Sequence, residues 1–155
     1  MRVSLIAVGQ RMPAWIQQGF GEYAQRLKAR LPLNLVEVPA VKRGSGDVAR
    51  AMEEEGRRLL SGVKPDHYVV ALDERGKSRS SVELSQWLGK RLQDGRDLCF
   101  LVGGADGFAP PVLQRADERW SLSALTLPHA LVRVVFAEQI YRAVTLLDGH
   151  PYHRE

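Results

Sequence analysis

Short apolar runs at a nearly regular spacing constrain this chain more than any other feature. Val3–Val8, Leu33–Val38, His67–Leu72 and Leu98–Val102 are rich in β-branched and aliphatic residues, and a weaker run covers Trp120–Leu125. Runs this short, bounded by turn-forming residues, suit strands buried on both faces. Between them the periodicity changes to that of helices. Pro13 to Arg30 places Ile16, Phe20, Tyr23, Ala24 and Leu27 at three- and four-residue steps, with Pro13 allowed in the first turn. Asp47 is suited to cap a helix running to about Leu60, and Ser80 with Glu83 forms a capping box ahead of Leu84, Trp87, Leu88 and Leu92. Pro110-Pro111 opens one further short helix. Strand–helix alternation predicts an α/β fold with a parallel sheet flanked by helices.

The segment from His129 to about Leu147 differs from the other helices. Leu131, Val132, Val134, Val135, Phe136, Ala137, Ile140, Tyr141, Ala143, Val144, Leu146 and Leu147 cover most of its circumference. Only narrow polar stripes remain: Glu138, Arg142 and Thr145 on one, His129 and Arg133 on another. A helix apolar nearly all round must be covered on several sides, either as a core helix or at a subunit interface.

The 155 residues fit a single domain, with no repeat or linker to divide them. Cys99 is the only cysteine, which excludes an internal disulfide framework and a thiol-rich metal site; its apolar surroundings point to a buried thiol. No apolar run approaches the roughly 20 residues that cross a bilayer. The apolar stretch at the start is too short for a secretory signal, so the cytoplasm is the expected compartment and no membrane partner is expected. A net charge of +4 permits a polyanionic partner, with basic residues in expected loops at Lys42-Arg43, at Arg75, Lys77 and Arg79, and at Arg154. A solvated surface accounts for the same residues.

Ligands of parallel α/β sheets bind beyond the carboxyl ends of strands. Three segments qualify: Leu72 to Lys77, Val102-Gly103-Gly104-Ala105-Asp106-Gly107-Phe108, and Ser121 to His129. Glycines let the backbone approach a ligand closely. No phosphate loop and no dinucleotide-binding Gly-x-Gly-x-x-Gly after the first run occur. Neither a His-Glu-x-x-His zinc pair nor a Gly-x-Ser-x-Gly nucleophile elbow is present. Composition and spacing lead no further than an α/β domain with a ligand site at its strand ends.

Several longer blocks carry more. Leu101-Val102-Gly103-Gly104-Ala105-Asp106-Gly107, Trp120 through His129, Leu131-Val132-Arg133, Glu138 through Ala143 and Pro151-Tyr152-His153-Arg154-Glu155 together closely resemble the RlmH family, as do Ala7-Val8-Gly9, Met12-Pro13-Ala14-Trp15 and the Ala40-to-Gly44 loop. These are SPOUT-class methyltransferases acting on N3 of a pseudouridine in 23S rRNA. The resemblance covers essentially the whole chain. The family carries Pro-Glu-Gly where this chain has Ala105-Asp106-Gly107, so a carboxylate is kept on a shorter stem.

The resemblance implies one SPOUT methyltransferase domain over residues 1–155 with a C-terminal trefoil knot, and a homodimer built on the knot region. It also implies S-adenosyl-L-methionine as methyl donor, no metal, and 23S rRNA in the ribosome as partner. The donor would lie against Leu72, Gly103, Gly104, Leu122, Ser123, Ala124, Leu125, Thr126 and Leu127. Tyr152, His153 and Arg154 are the expected acceptor-side residues, with Arg142, Glu138 and His129 in support. Other readings give these residues duller parts: Glu138 and Arg142 as an i,i+4 ion pair, His129 as a helix cap. Two readings from other classes are a non-catalytic basic ribosome-binding factor and a flavodoxin-like nucleotide-binding domain. The second would place its ligand loop after the first strand, where Gly9-Gln10-Arg11 offers no phosphate cradle.

Overall fold

The computed structural model describes residues 1–44 and 46–154; Glu155, the last residue of the C-terminal motif, lies outside the described residues. The elements run β1 (Val3–Val8), α1 (Ala14–Leu27), β2 (Leu33–Val38), α2 (Val48–Leu60), β3 (Tyr68–Ser78), α3 (Ser81–Asp94), β4 (Leu98–Val102), α4 (Pro110–Arg115), β5 (Glu118–Ser121) and α5 (His129–Asp148), with a closing 3-10 turn over Pro151–Arg154. The five strands form one sheet in the order β2-β1-β4-β3-β5, and every pairing is parallel.

Alternation along the strands builds two cores. Val3, Leu5 and Ala7 of β1 face α1, α3 and α5 together with Phe100 and Val102, while Ile6 and Val8 turn to the other face with Cys99 and Leu101, against Leu59 of α2 and Val112 of α4. A sheet covered on both faces needs apolar residues at every position, and β4 is buried throughout. Cys99 lies in this second core as a free buried thiol.

The expected helix starts are present. Asp47 accepts the amide N–H of Arg50 at 3.0 Å, and Ser80 and Glu83 exchange both bonds of the capping box. Two strands depart from the sequence reading. β3 continues from Leu72 to Ser78, so Arg75 and Lys77 are strand residues rather than loop residues. Its pairing with β5 is interrupted there: Leu72 and Lys77 both lie opposite Trp120, and residues 73–76 bulge out between them. A Cβ on Gly76 would stand only 2.5 Å from the Arg119 carbonyl carbon, so the returning chain passes flush against β5. β5 itself ends at Ser121, four residues short of the expected Leu125.

From the end of β5, at one edge of the sheet, the chain crosses to α5, whose first turn reaches the end of β1. There Arg133, only 1% exposed, donates to Glu37 of β2 at 2.5 Å and to the Gly9 carbonyl at 2.8 Å. The central part of α5 then packs Phe136, Ala137, Ile140, Ala143 and Val144 into the larger core. Leu131, Val134, Val135 and Leu146 are only half-buried, so parts of this apolar helix remain uncovered.

Candidate functional site

The crossing from β5 to α5 closes a cavity of about 810 Å³ over the bulge of β3 and the carboxyl ends of β4 and β5. The bulged stretch of β3, Leu72 to Arg75, and two loops, Val102 to Phe108 and Ser121 to His129 apart from Ala124, supply its walls. These are the segments that strand-end reasoning selects. Leu72, Gly103, Gly104, Leu122, Ser123, Leu125, Thr126 and Leu127 all line the cavity, whereas Ala124 is exposed and does not. Met52 of α2, Leu113 of α4 and Val132 of α5 also line it. No loop motif points to them, because single apolar residues on amphipathic helices read as core.

Local geometry explains the glycines. A Cβ on Gly103 would fall 2.8 Å from the Gly107 carbonyl oxygen, and one on Gly104 would fall 3.0 Å from Glu55 Oε1. The Gly107 amide closes this turn on the Gly104 carbonyl at 3.2 Å. The turn therefore presents bare backbone to the cavity. Opposite it, Leu125 is 75% exposed, an aliphatic side chain left largely open to the cavity and solvent. Its loop is held by short polar bonds: Ser121 donates to the Ser123 carbonyl at 2.8 Å, Leu125 donates its amide to Ser123 Oγ at 2.9 Å, and Thr126 meets Glu74 at 3.3 Å. His129, in the first turn of α5, lines the cavity with a buried Nδ1 that has no partner among the described residues. Pro128, not His129, is the N-cap.

The other acceptor-side candidates do not line this cavity. Glu138 lies nine residues beyond His129, about 13 Å along a helix axis. Its carboxylate accepts from Arg142 at 2.8 Å and from the Tyr152 hydroxyl at 2.9 Å. The tail turns back at Gly149, so Tyr152 packs edge-on to Tyr141 at 4.7 Å under the Arg142 guanidinium. Burial, then hydrogen bonding with Tyr23 and Glu138, pushes the Tyr152 phenol above its ordinary value. His153 keeps a buried Nδ1 without a partner among the described residues, and Arg154 is exposed. Glu138, Arg142 and Tyr152 are thus gathered on one face of α5, while the cavity stands at its start. No group of three or more His, Cys, Asp or Glu placed to hold a metal occurs among the described residues.

The family model described as "Predicted SPOUT methyltransferase" matches residues 1–153. The chain belongs to the SPOUT methyltransferases. Proteins named "Ribosomal RNA large subunit methyltransferase H" from Thioalkalivibrio sulfidiphilus and Alkalilimnicola ehrlichii are each 57% identical to it, the first over 100% of both chains and the second over 99% of both. This full-length likeness puts the chain in the RlmH family that its sequence blocks indicate. The crystal structure of a "Probable Methyltransferase from Bordetella pertussis Tohama I" superposes with a TM-score of 0.59, covering 92% of this chain and 94% of that one at 17% identity. That likeness bears on the fold alone.

Two charged networks brace the SPOUT cavity, and local spacing shows neither. On β5, Glu118 accepts from four donors: the Tyr68 hydroxyl at 2.5 Å, Trp87 Nε1 and Arg79 Nη2 at 2.7 Å each, and Trp120 Nε1 at 3.1 Å. Burial opposes its charge, yet the four donors together hold the carboxyl down at about 2. The start of the Ser121–Leu127 wall is thereby fixed to β3 and α3. On the other side, Glu55 of α2, 2% exposed, accepts the Val41 amide at 2.9 Å and both terminal nitrogens of Arg43. Burial works against Glu55, but Arg43 and the Val41 amide outweigh it and lower its carboxyl below the ordinary range. The Arg43 Nε continues to Asp106 at 2.9 Å. Arg43 and Arg79 are consequently committed to carboxylates rather than forming part of a freely solvated basic surface.

Proposed function

We propose that this SPOUT methyltransferase transfers a methyl group from S-adenosylmethionine to N3 of a pseudouridine in 23S rRNA, on the assembled ribosome. The cavity at the bulge of β3 and the ends of β4 and β5 carries the reading. Its volume of about 810 Å³ lies within the ordinary range for small-molecule sites. Leu122, Leu125 and Leu127 offer apolar walls for a purine, and the main chain of Leu72, Gly103, Gly104, Leu122, Ser123 and Leu125 to Leu127 offers amides and carbonyls for its polar edge. Asp73, Glu74 and Asp106 stand around the cavity with Arg75, a surplus of negative charge that suits a cationic ligand.

The donor supplies a methyl activated on a sulfonium. The chain's own task is to align the acceptor nitrogen with that methyl, which supplies roughly 7–11 kcal/mol when reactants are held in line. An imide nitrogen attacks after losing its proton, and cationic or hydrogen-bonding groups stabilise the anion that develops. Tyr152, His153 and Arg154 take this part, supported by Arg142, Glu138 and His129. The raised Tyr152 phenol stays protonated at neutral pH and serves as a donor rather than a base. Because the tail stands away from the cavity of its own chain, the reading includes a homodimer in which one copy's tail serves the other's cavity. The half-covered apolar face of α5 supports that pairing.

The same reading takes residues 1–155 as one domain and the crossing segment as a trefoil knot threaded past the bulge of β3. The contact of Thr126 with Glu74 and the close passage at Gly76 support it. No helix among the described residues is long and apolar enough to cross a membrane, and a ribosomal substrate puts the enzyme in the cytoplasm. The deciding experiment is transfer of labelled methyl to ribosomes lacking the modification, followed by nucleoside analysis. Label in N3-methylpseudouridine is expected. Failure to bind S-adenosylhomocysteine would instead leave a ribosome-binding factor without catalysis.

A further inference from the structure

The glycine turn at the end of β4 needs an external brace. Residues 103–107 contain three glycines and form a turn closed by a single 3.2 Å amide-to-carbonyl bond between Gly107 and Gly104. Such a turn is cheap to deform, since glycine carries the greatest backbone freedom. Among the described residues, the turn's one side-chain hydrogen bond is that of Asp106 to Arg43. Arg43 is itself immobilised. Its guanidinium forks onto Glu55, donates to the Val41 carbonyl at 2.8 Å, and is held by a carboxylate that is 2% exposed on a packed helix. Glu55 also abuts the turn from below, where a Cβ on Gly104 would meet its Oε1 at 3.0 Å.

We propose that Arg43, clamped by Glu55 and bonded to Asp106, is a positioning residue that sets the height of the Gly103–Gly107 backbone in the cavity and so determines methyl-donor affinity. The inference rests on reading the cavity as the donor site. Arg43 does not line that cavity and acts through the turn. A planar fork is required, because one cation must satisfy two carboxylates on different elements at once, and a lysine supplies only a point charge. The basic Lys42-Arg43 loop is thereby joined mechanically to the donor turn.

The test compares Arg43→Met, Arg43→Lys and Asp106→Asn with the wild type in the full-length protein. Calorimetry with S-adenosylhomocysteine gives the dissociation constant, methyl transfer gives KM for the donor and kcat, and amide hydrogen exchange reports on residues 103–107. Arg43→Met is expected to weaken binding about tenfold, as for loss of one charge-assisted bond. Asp106→Asn, which leaves the Arg43–Glu55 pair intact, should weaken it several-fold, with the loss in KM rather than kcat and with faster exchange confined to the turn. Arg43→Lys should recover part of the loss, and Arg43→Met combined with Asp106→Asn should be no worse than Arg43→Met. Wild-type affinity in both Arg43→Met and Asp106→Asn, or equal falls in kcat and thermal stability without a change in KM, would overturn the inference while leaving the donor site standing. Absence of binding by the wild type removes both.

Discussion

Glu118→Gln should cost the protein about 3 kcal/mol at pH 7, and nearly all of that cost should vanish by pH 2. The wild-type carboxyl lies at about 2 in the folded state against an ordinary value of 4.5. Each unit corresponds to 1.36 kcal/mol, so the gap of about 2.5 units gives about 3 kcal/mol. A depressed carboxyl stabilises the fold fully above its ordinary value, and the contribution is lost as the pH falls through 4.5 toward 2. Glutamine keeps the shape and removes the charge, so it reports the carboxylate's bonds to Arg79, Trp120, Tyr68 and Trp87. Unfolding in urea, followed by tryptophan fluorescence at one protein concentration, measures the effect directly, since both indoles that report it bond to the carboxylate. A loss under 1 kcal/mol at pH 7, or a gap to wild type that stays constant between pH 5 and 2, would refute the assignment of charge to Glu118.

The remaining predictions concern the cavity, the tail and the core. Gly103→Ala should weaken S-adenosylhomocysteine binding by at least about tenfold in calorimetry, because its methyl cannot coexist with the Gly107 carbonyl 2.8 Å away. Deleting residues 151–155 should lower methyl transfer to ribosomes by about a hundredfold or more, the scale of losing transition-state stabilisation, with donor binding unchanged. Cys99, whose burial raises its thiol to about 11, should resist iodoacetamide at pH 8 in the folded protein and react within minutes in urea, as mass spectrometry would show. Gly76→Ala should lower the unfolding temperature sharply, since its Cβ would strike the Arg119 and Trp120 backbone.

Strands β1, β2 and β4 and the caps at Asp47 and Ser80 are legible because periodicity and capping are local properties of a chain. The cavity loops are legible from chemistry, as parallel sheets gather ligands at strand ends. The run Trp120–Leu125 misleads for a physical reason: Leu122 and Leu125 are apolar because they face the cavity, not because they extend β5. The polar residues after Leu72 look like a loop, yet the chain returns to the sheet at Lys77 after its bulge. Glu118 carries no signal in the sequence, and Arg43 and Arg133 show there only as a basic loop and a polar stripe, without their partners. Their charged partners are remote in sequence, Glu55 lying 12 positions from Arg43, Arg79 39 from Glu118 and Glu37 96 from Arg133, and no spacing rule connects such residues. Tyr152 with Glu138 is expected from the family blocks, but its position on α5 rather than at the cavity could only come from the fold.

The burial of Arg133 bears on how the polypeptide matures. Until that guanidinium arrives, Glu37 and the Gly9 carbonyl lack the cation that binds them, and the α1 side of β1 lacks the part of its cover that α5 supplies. At roughly 5–20 residues per second, about 6 to 25 seconds separate synthesis of the first strand from that of the arginine which completes it. The N-terminal half is therefore an unfinished surface throughout translation. A ribosome stalled before α5 should display a protease-sensitive nascent chain, and one stalled far enough beyond it for the helix to emerge should not.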